Sequence, residues 1–212
     1  MDAKLKIQKM TRKDVDKMDN WAGFVDKLFD DYNFPILTDE QKDKWFHVKN
    51  NRYRRCYSVY LNKNLIGYIS LRDIKRIRKI SELGIVIDSR YVSKGYGTKA
   101  LEMFLDWYFK ELDYNKIYLR VASFNKRAIK LYENMKFKKV KDIYEIMDIS
   151  KLDLYENKAY KEYKEDFRVG KRDIKCKFYL MELSTKEESI MWTIIDYIVK
   201  NYSFMKLKNS KK

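Results

Sequence analysis

Val92-Ser93-Lys94-Gly95-Tyr96-Gly97-Thr98-Lys99-Ala100 stands between a strand-like run and a long amphipathic segment, and it holds two of the chain's six glycines. Glycine serves where backbone must approach another group closely or take positive φ. The first turn of a helix presents N–H groups without intrahelical partners, and the helix dipole adds positive potential there. The stretch therefore predicts a site for phosphate oxygens.

Upstream, Leu83, Ile85 and Ile87 alternate with Glu82, Gly84, Val86 and Asp88, the period of a strand. Downstream, a helix is expected from about 98 to 112, with Leu101, Phe104, Leu105, Tyr108 and Leu112 on one face. Ile117, Leu119 and Val121 make a strand, after which Asn125 caps a second helix carrying Ala128, Leu131, Tyr132 and Met135. Phe137 opens a further strand. Nearer the start, Leu5 and Ile7 form a short strand, and Thr11 with Asp14 reads as a capping box. Residues 20–50 are helical or irregular, with Trp21, Phe24, Phe29, Tyr32, Phe34, Trp45 and the single proline, Pro35. A hairpin follows over 56–61 and 65–71, and then a basic run over 72–79. Past a charged, tyrosine-rich segment (141–171), Ile174, Cys176, Phe178 and Leu180 alternate as a last strand. A helix over 189–202 and a Lys-rich tail end the chain. No internal repeat is visible. Strands first, then strand–helix–strand–helix and strand again, describe a mixed α/β sheet.

The 212 residues suit one domain with an appendage, divided here as 1–183 and 184–212. Apolar residues make up 45% and charged residues 37%, a globular balance. Forty-seven Lys and Arg face 31 Asp and Glu, a formal charge of +16. That excess fits a nucleic-acid or ribosomal partner or an acidic ligand, but the acids are interspersed with the bases, which favours a solvated lysine-rich surface. Cys56 and Cys176 lie far apart, without metal-ligand spacing, so no metal and no disulfide scaffold is expected, and a reducing cytoplasm fits. No apolar run approaches the roughly 20 residues of a membrane helix.

Gly95-Tyr96-Gly97-Thr98-Lys99-Ala100 matches the dinucleotide string G-x-G-x-x-G/A, but its context does not. In a dinucleotide fold the glycines follow the first strand directly and an acid ends the second strand. Here the loop begins several residues past Asp88, and the next strand ends in Ala122-Ser123-Phe124. A Walker A loop fails for want of Gly-Lys-Ser/Thr at its spacing.

Val92-Ser93-Lys94-Gly95-Tyr96-Gly97 instead resembles the pyrophosphate loop Q/R-x-x-G-x-G/A of the GNAT superfamily of N-acetyltransferases. Asn125, Ala128, Leu131-Tyr132 and Phe137 are similar to that family's N-x-x-A-x-x-L-Y-x-x-x-G-F. Looser likenesses, among them Gly67-Tyr68-Ile69 and 178–183, extend the resemblance over about residues 5–183. The look is closest to the branch with ribosomal-protein and spermidine acetyltransferases. Val92 departs from the usual Gln or Arg, and Met135 replaces the usual glycine before Phe137.

The resemblance implies a mostly antiparallel sheet with a splayed parallel pair and flanking helices, the acyl-CoA N-acyltransferase fold, followed by a C-terminal helix. It implies direct acetyl transfer from acetyl-CoA to a primary amine of an acceptor that is a small molecule or a protein N-terminus. A monomer or homodimer with no membrane partner is expected. Backbone amides of Val92, Ser93, Lys94, Gly95, Tyr96, Gly97 and Thr98 would hold the pyrophosphate. The strand of Ile85 and Ile87 would pair with the pantetheine arm, and Asn125 would bond that arm as well as capping its helix.

Tyr132 becomes the candidate general acid for the departing thiolate, since a phenol is neutral near pH 7 yet can donate; its plain alternative is a buried helix tyrosine. Glu82 becomes the candidate general base, alone or through a water. An alkyl amine with pKa near 10.4 is neutral in only about one molecule in 10³ at pH 7, a cost of roughly 4–5 kcal/mol. Glu82 is equally suited to orienting the amine or pairing with an arginine. Asp88 reads as a strand-end turn residue and His47 as a surface residue. The aromatics over 21–34 suit core packing or an acceptor cleft, and the basic run over 72–79 suits an exposed strand edge and turn. A basic ribosome- or RNA-associated module and a non-catalytic acyl-CoA sensor on the same fold are the alternative functions.

Overall fold

Eight strands carry the computed structural model, which describes residues 4–147, 158–170 and 173–185. They are β1 (Leu5–Lys9), β2 (Arg55–Leu61), β3 (Asn64–Lys75), β4 (Ile80–Ile87), β5 (Lys116–Ala122), β6 (Lys138–Ile146), β7 (Phe167–Val169) and β8 (Ile174–Ser184). Their order in the sheet is β1-β2-β3-β4-β5-β8-β6, with β7 alongside β8. Only β4 and β5 run parallel; the other pairings are antiparallel. The helices are α1 (Arg12–Lys17), α2 (Asp39–Lys49), α3 (Tyr96–Lys110) and α4 (Lys126–Asn134). This is the mixed, mostly antiparallel sheet with one parallel pair that the sequence led us to expect. The expected C-terminal helix and tail lie outside the described residues.

The boundaries differ from the sequence reading in instructive places. α3 begins at Tyr96, two residues early, because Gly95 takes the left-handed conformation (φ +80) at its N-cap and lets the helix start at once. β3 runs on to Lys75, so the first half of the basic run is strand, broken by a register shift between Arg72 and Lys75. The end of α4 corrects the motif alignment. Lys136, not Met135, holds the left-handed position (φ +67), and Phe137 N–H closes the helix onto the Tyr132 carbonyl at 3.0 Å. The glycine of the family pattern therefore corresponds to Lys136. At the N-terminal end the capping box forms: Thr11 N–H donates to Asp14 at 2.8 Å, and buried Asp14 also accepts from Ser58 at 2.8 Å.

The apolar stripe of α3 (Ala100, Leu101, Phe104, Leu105, Tyr108) packs on one sheet face, against Tyr57, Val59, Ile69, Leu71, Leu83, Ile117 and Leu119. Burial of each large side chain contributes on the order of 2 kcal/mol. The parallel pairing covers Ile80↔Lys116, Ser81↔Ile117 and Glu82↔Tyr118, and then stops. From Leu83 onward β4 stays with β3, while β5 from Leu119 onward stays with β8. The two strands diverge, and no described strand pairs with the β5-facing edge of β4 over residues 83–87.

Tyr108 pins the root of this divergence. Its hydroxyl donates to the Lys116 carbonyl at 2.8 Å and lies 2.9 Å from Ser81 Oγ, so Ser81 is left as the donor in that second bond. One phenol thus ties β4 to β5 in a fully buried place. Removing it leaves Ser81 and the carbonyl without their partner. Tyr108→Phe should destabilise the protein by about 1–3 kcal/mol in urea unfolding with an unchanged m-value; a loss below about 0.5 kcal/mol would contradict the tie.

Candidate active site

Between the diverging strands lies a cleft of about 530 Å³ lined by the end of β4, the loop before α3, the start of α4 and the 24–32 segment. Its mouth is the glycine loop. Asp88, buried at the end of β4, accepts from Arg90 N–H at 3.0 Å and turns the chain, as a strand-end residue should. Val92 N–H is already used in that turn, donating to the Ser89 carbonyl at 3.3 Å. Of the amide series expected from Val92 to Thr98, the run that remains for a ligand therefore begins at Ser93. Ser93 (φ +61) and Gly95 both have left-handed backbone, and no side chain caps α3. The amides of Tyr96, Gly97 and Thr98 fall in the first turn, where no intrahelical acceptor exists.

The protein's own packing does not explain both glycines. A Cβ on Gly97 would make ordinary contact with Ile87 Cγ1 at 3.6 Å, and one on Gly95 would meet nothing within 4 Å. Gly95 is required by its backbone conformation. Gly97 instead keeps the helix entrance bare above Ile87, which together with Ile85 lines the cleft.

On the opposite wall, Asn125 caps α4: its Oδ1 accepts from Ala128 N–H at 3.1 Å. Its Nδ2 faces Tyr32 and donates to that hydroxyl at 3.5 Å. The cap role is thus seen directly, and the amide nitrogen is the group left on the cleft side. Tyr132 lies one helical turn beyond Ala128, is 7% exposed, lines the cleft and packs edge-on against Phe137. Burial, with Tyr32 nearby, pushes its phenol above the ordinary tyrosine value, so it holds its proton. Burial likewise raises Tyr32.

Cross-strand register puts Tyr68, Ser70 and Arg72 of β3 beside Val86, Gly84 and Glu82 of β4 on one face, opposite the face that packs on α3. Here Glu82 is fully buried and paired twice. Its Oε1 lies 2.9 Å from Arg72 Nη2 and 2.7 Å from Arg120 Nη2. Arg120 also pairs with Glu145. Burial alone would lower Arg120, but Glu82 and Glu145 outweigh it and raise it. Glu82 Oε1, the lone pairs of which a base would offer, is occupied by two guanidinium groups.

Other candidates fall elsewhere. His47 is exposed on α2 with Nδ1 2.8 Å from the Asp43 carbonyl, and it does not line this cleft. Cys56 and Cys176 are free and buried, and burial pushes each thiol up to about 12, so neither is a nucleophile at neutral pH. Among the described residues no group of three His, Cys, Asp or Glu is placed to hold a metal, and no helix is long and apolar enough to cross a membrane.

A family model described as an acetyltransferase (GNAT) domain matches residues 4–138. The chain belongs to the GNAT acetyltransferase family. Among its relatives, the spermidine N(1)-acetyltransferase of Vibrio cholerae is 36% identical over 91 residues, a match spanning 43% of this chain and 53%, about half, of that protein. The Escherichia coli K12 spermidine N(1)-acetyltransferase is 27% identical over 137 residues, 63% of this chain and 72% of that one. Among solved structures, a chimera of V. cholerae spermidine N-acetyltransferase SpeG with hSSAT superposes with a TM-score of 0.61 at 21% identity, over 85% of this chain and 95% of the other. That likeness shows a GNAT fold.

Within this GNAT cleft, Tyr32 is one of the aromatics that suited an acceptor cleft, whereas Arg72, Arg120 and Lys49 carry no local signal of their place in the lining. Arg72 was absorbed in a basic run, and nothing in local periodicity marks a guanidinium that will meet a carboxylate on another strand. The ion cluster that Arg72 and Arg120 form with Glu82 is also structural. Glu82→Ala should cost about 3 kcal/mol or more in denaturant unfolding, because it strips both arginines of a buried counter-charge; a change under about 0.5 kcal/mol would show that the cluster does not hold the cleft floor.

Proposed function

We propose that this chain transfers the acetyl group of acetyl-CoA directly to an amine. The observation that carries the reading is the uncapped, left-handed entry to α3 set at the mouth of a splayed parallel strand pair. The residues fit the co-substrate in three places. The amides from Ser93 to Thr98 offer donors to a pyrophosphate, and the dipole of the fifteen-residue α3 favours its charge. The unpaired edge of β4 offers alternating donors and acceptors to an amide-bearing arm, as strand addition does. Asn125 Nδ2 faces the same space. The family and the amine-acetylating relatives support the same chemistry.

In this reading Tyr132 donates a proton, or a hydrogen bond, to the sulfur as negative charge grows there. Its raised proton affinity keeps it protonated while the amine attacks. Glu82 is assigned to positioning: it fixes Arg72 and Arg120 at the cleft floor, and the acceptor amine gives its proton to solvent or to another group. With both thiols protonated and buried, a covalent acetyl-cysteine step has no nucleophile. A non-catalytic acyl-CoA sensor would need no proton donor placed as Tyr132 is, and the RNA-associated reading has no such feature to carry it.

Two results are expected. Wild-type protein should bind acetyl-CoA in calorimetry, while Gly97→Glu, which places a carboxylate at the helix entrance, should fold normally by circular dichroism and give no measurable heat. Equal binding by the two would overturn the loop's role. Tyr132→Phe should lower kcat by about 10²-fold and leave the acetyl-CoA KM within about twofold; an unchanged kcat would remove Tyr132 from the acid role.

A further inference from the structure

We propose that the acceptor is a small amine that also carries an anionic group, a carboxylate or a phosphate, received by Lys49 and Arg72 on the face of β4 opposite α3. This rests on the acetyl-transfer reading above and names the substrate class for the same cleft.

Five basic side chains line the cleft (Lys49, Arg72, Arg120, Arg127, Lys130) against one acidic residue, Asp31, which is exposed. Arg127 and Lys130 stand on α4 near Asn125, and Arg120 is held by Glu82 and Glu145. That leaves Lys49 and Arg72 as the cations facing an acceptor. Arg72 has capacity to spare. Its Nη2 pairs with Glu82, but its Nε is buried with no hydrogen-bond partner, and it is the one such side-chain atom among the described residues. A buried donor left without a partner marks a place where a missing acceptor belongs.

Lys49 tells the same story from α2. Its Nζ lies 5.5 Å over the Trp45 ring, and no carboxylate among the described residues stands within ion-pair distance of it. Burial lowers its proton affinity, with Arg72 and Arg54 acting in the same direction against Cys56. Arg72 and Arg54 stand close enough to act on it, so an anion placed here meets more than one positive charge.

A recess of about 120 Å³ opens beside this point, walled by Trp21, Phe34 and Trp45 and sharing Asp31, Tyr32, Lys49, Tyr68 and Val86 with the main cleft. Aromatic walls can hold an ammonium ion by cation–π attraction. Here, however, Lys49 already lies over Trp45, and a second positive charge beside it is repelled. A polyamine brings several such charges and finds only Asp31 to meet them.

The test measures CoA thiol release with matched acceptors: phenylalanine, β-alanine and 2-aminoethyl phosphate, against phenylalaninamide and spermidine. At least one acid-bearing amine should exceed both phenylalaninamide and spermidine in kcat/KM by about tenfold or more, the size of one charge-assisted hydrogen bond. The carboxylate and phosphate arms identify which anion is meant. Lys49→Gln and Arg72→Gln should each raise that acceptor's KM by about tenfold while the acetyl-CoA KM stays within about twofold, and Lys49→Glu should move the preference towards spermidine. Lys49 is half-buried and takes no part in the Glu82 cluster, so the idea stays exposed if Arg72→Gln fails to fold. Preference for spermidine, turnover of none of the acid-bearing amines, or an acceptor KM indifferent to Lys49 would each overturn the proposal. Absence of acetyl-CoA binding to the wild type would instead overturn the acetyl-transfer reading beneath it.

Discussion

The parallel contact between β4 and β5 lasts three residue pairs, and most of what the molecule offers a ligand follows from where it ends. Beyond Glu82, β4 is committed to β3 and β5 to β8 by antiparallel ladders. Each ladder satisfies one edge of its strand, and neither strand can satisfy the other's second edge. A sheet ordinarily closes or covers such an edge, because unpaired backbone donors and acceptors are costly when water is excluded. Here the edge opens onto a cleft, with the uncapped start of α3 at one end and α4 along the far wall. Tyr108 keeps the contact from unzipping below that point.

The same geometry explains a carboxylate buried at the floor. At the last paired position Glu82 faces away from α3, and water does not reach it. Its charge is tolerable because Arg72 comes from the neighbouring strand and Arg120 from across the divergence. The cluster therefore spans β3, β4 and β5 at the root of the splay. What it presents to the cleft is guanidinium rather than carboxylate, and Lys49 adds to that sign. The floor that holds the strands apart also sets the charge an acceptor meets.

Much of this was legible in the residues. Strand period, the glycine pair and the Asn125 cap located the strand end, the helix entrance and the cap that frame the cleft, since those signals are local and each carries a backbone reason. Asp88 and His47 stand where local reading put them. What local reading misses is what depends on register. Glu82 and Arg120 are 38 residues apart and meet only because two strands begin in parallel; nothing in either segment announces it. Lys49 comes from a segment with weak periodicity, so its arrival at the cleft is a tertiary event. The Met135 alignment failed by one residue for a simpler reason: backbone handedness, not side-chain type, marks the turn, and Lys136 carries it.

Hydrogen exchange with and without acetyl-CoA tests the central claim most directly, because it reads the backbone groups themselves. If the splayed edge and the helix entrance receive the co-substrate, amides over 83–87 and 93–98 should exchange more slowly in its presence, while those of the β1–β2 ladder should not change. Protection confined to other segments, or none at all despite binding, would contradict the account.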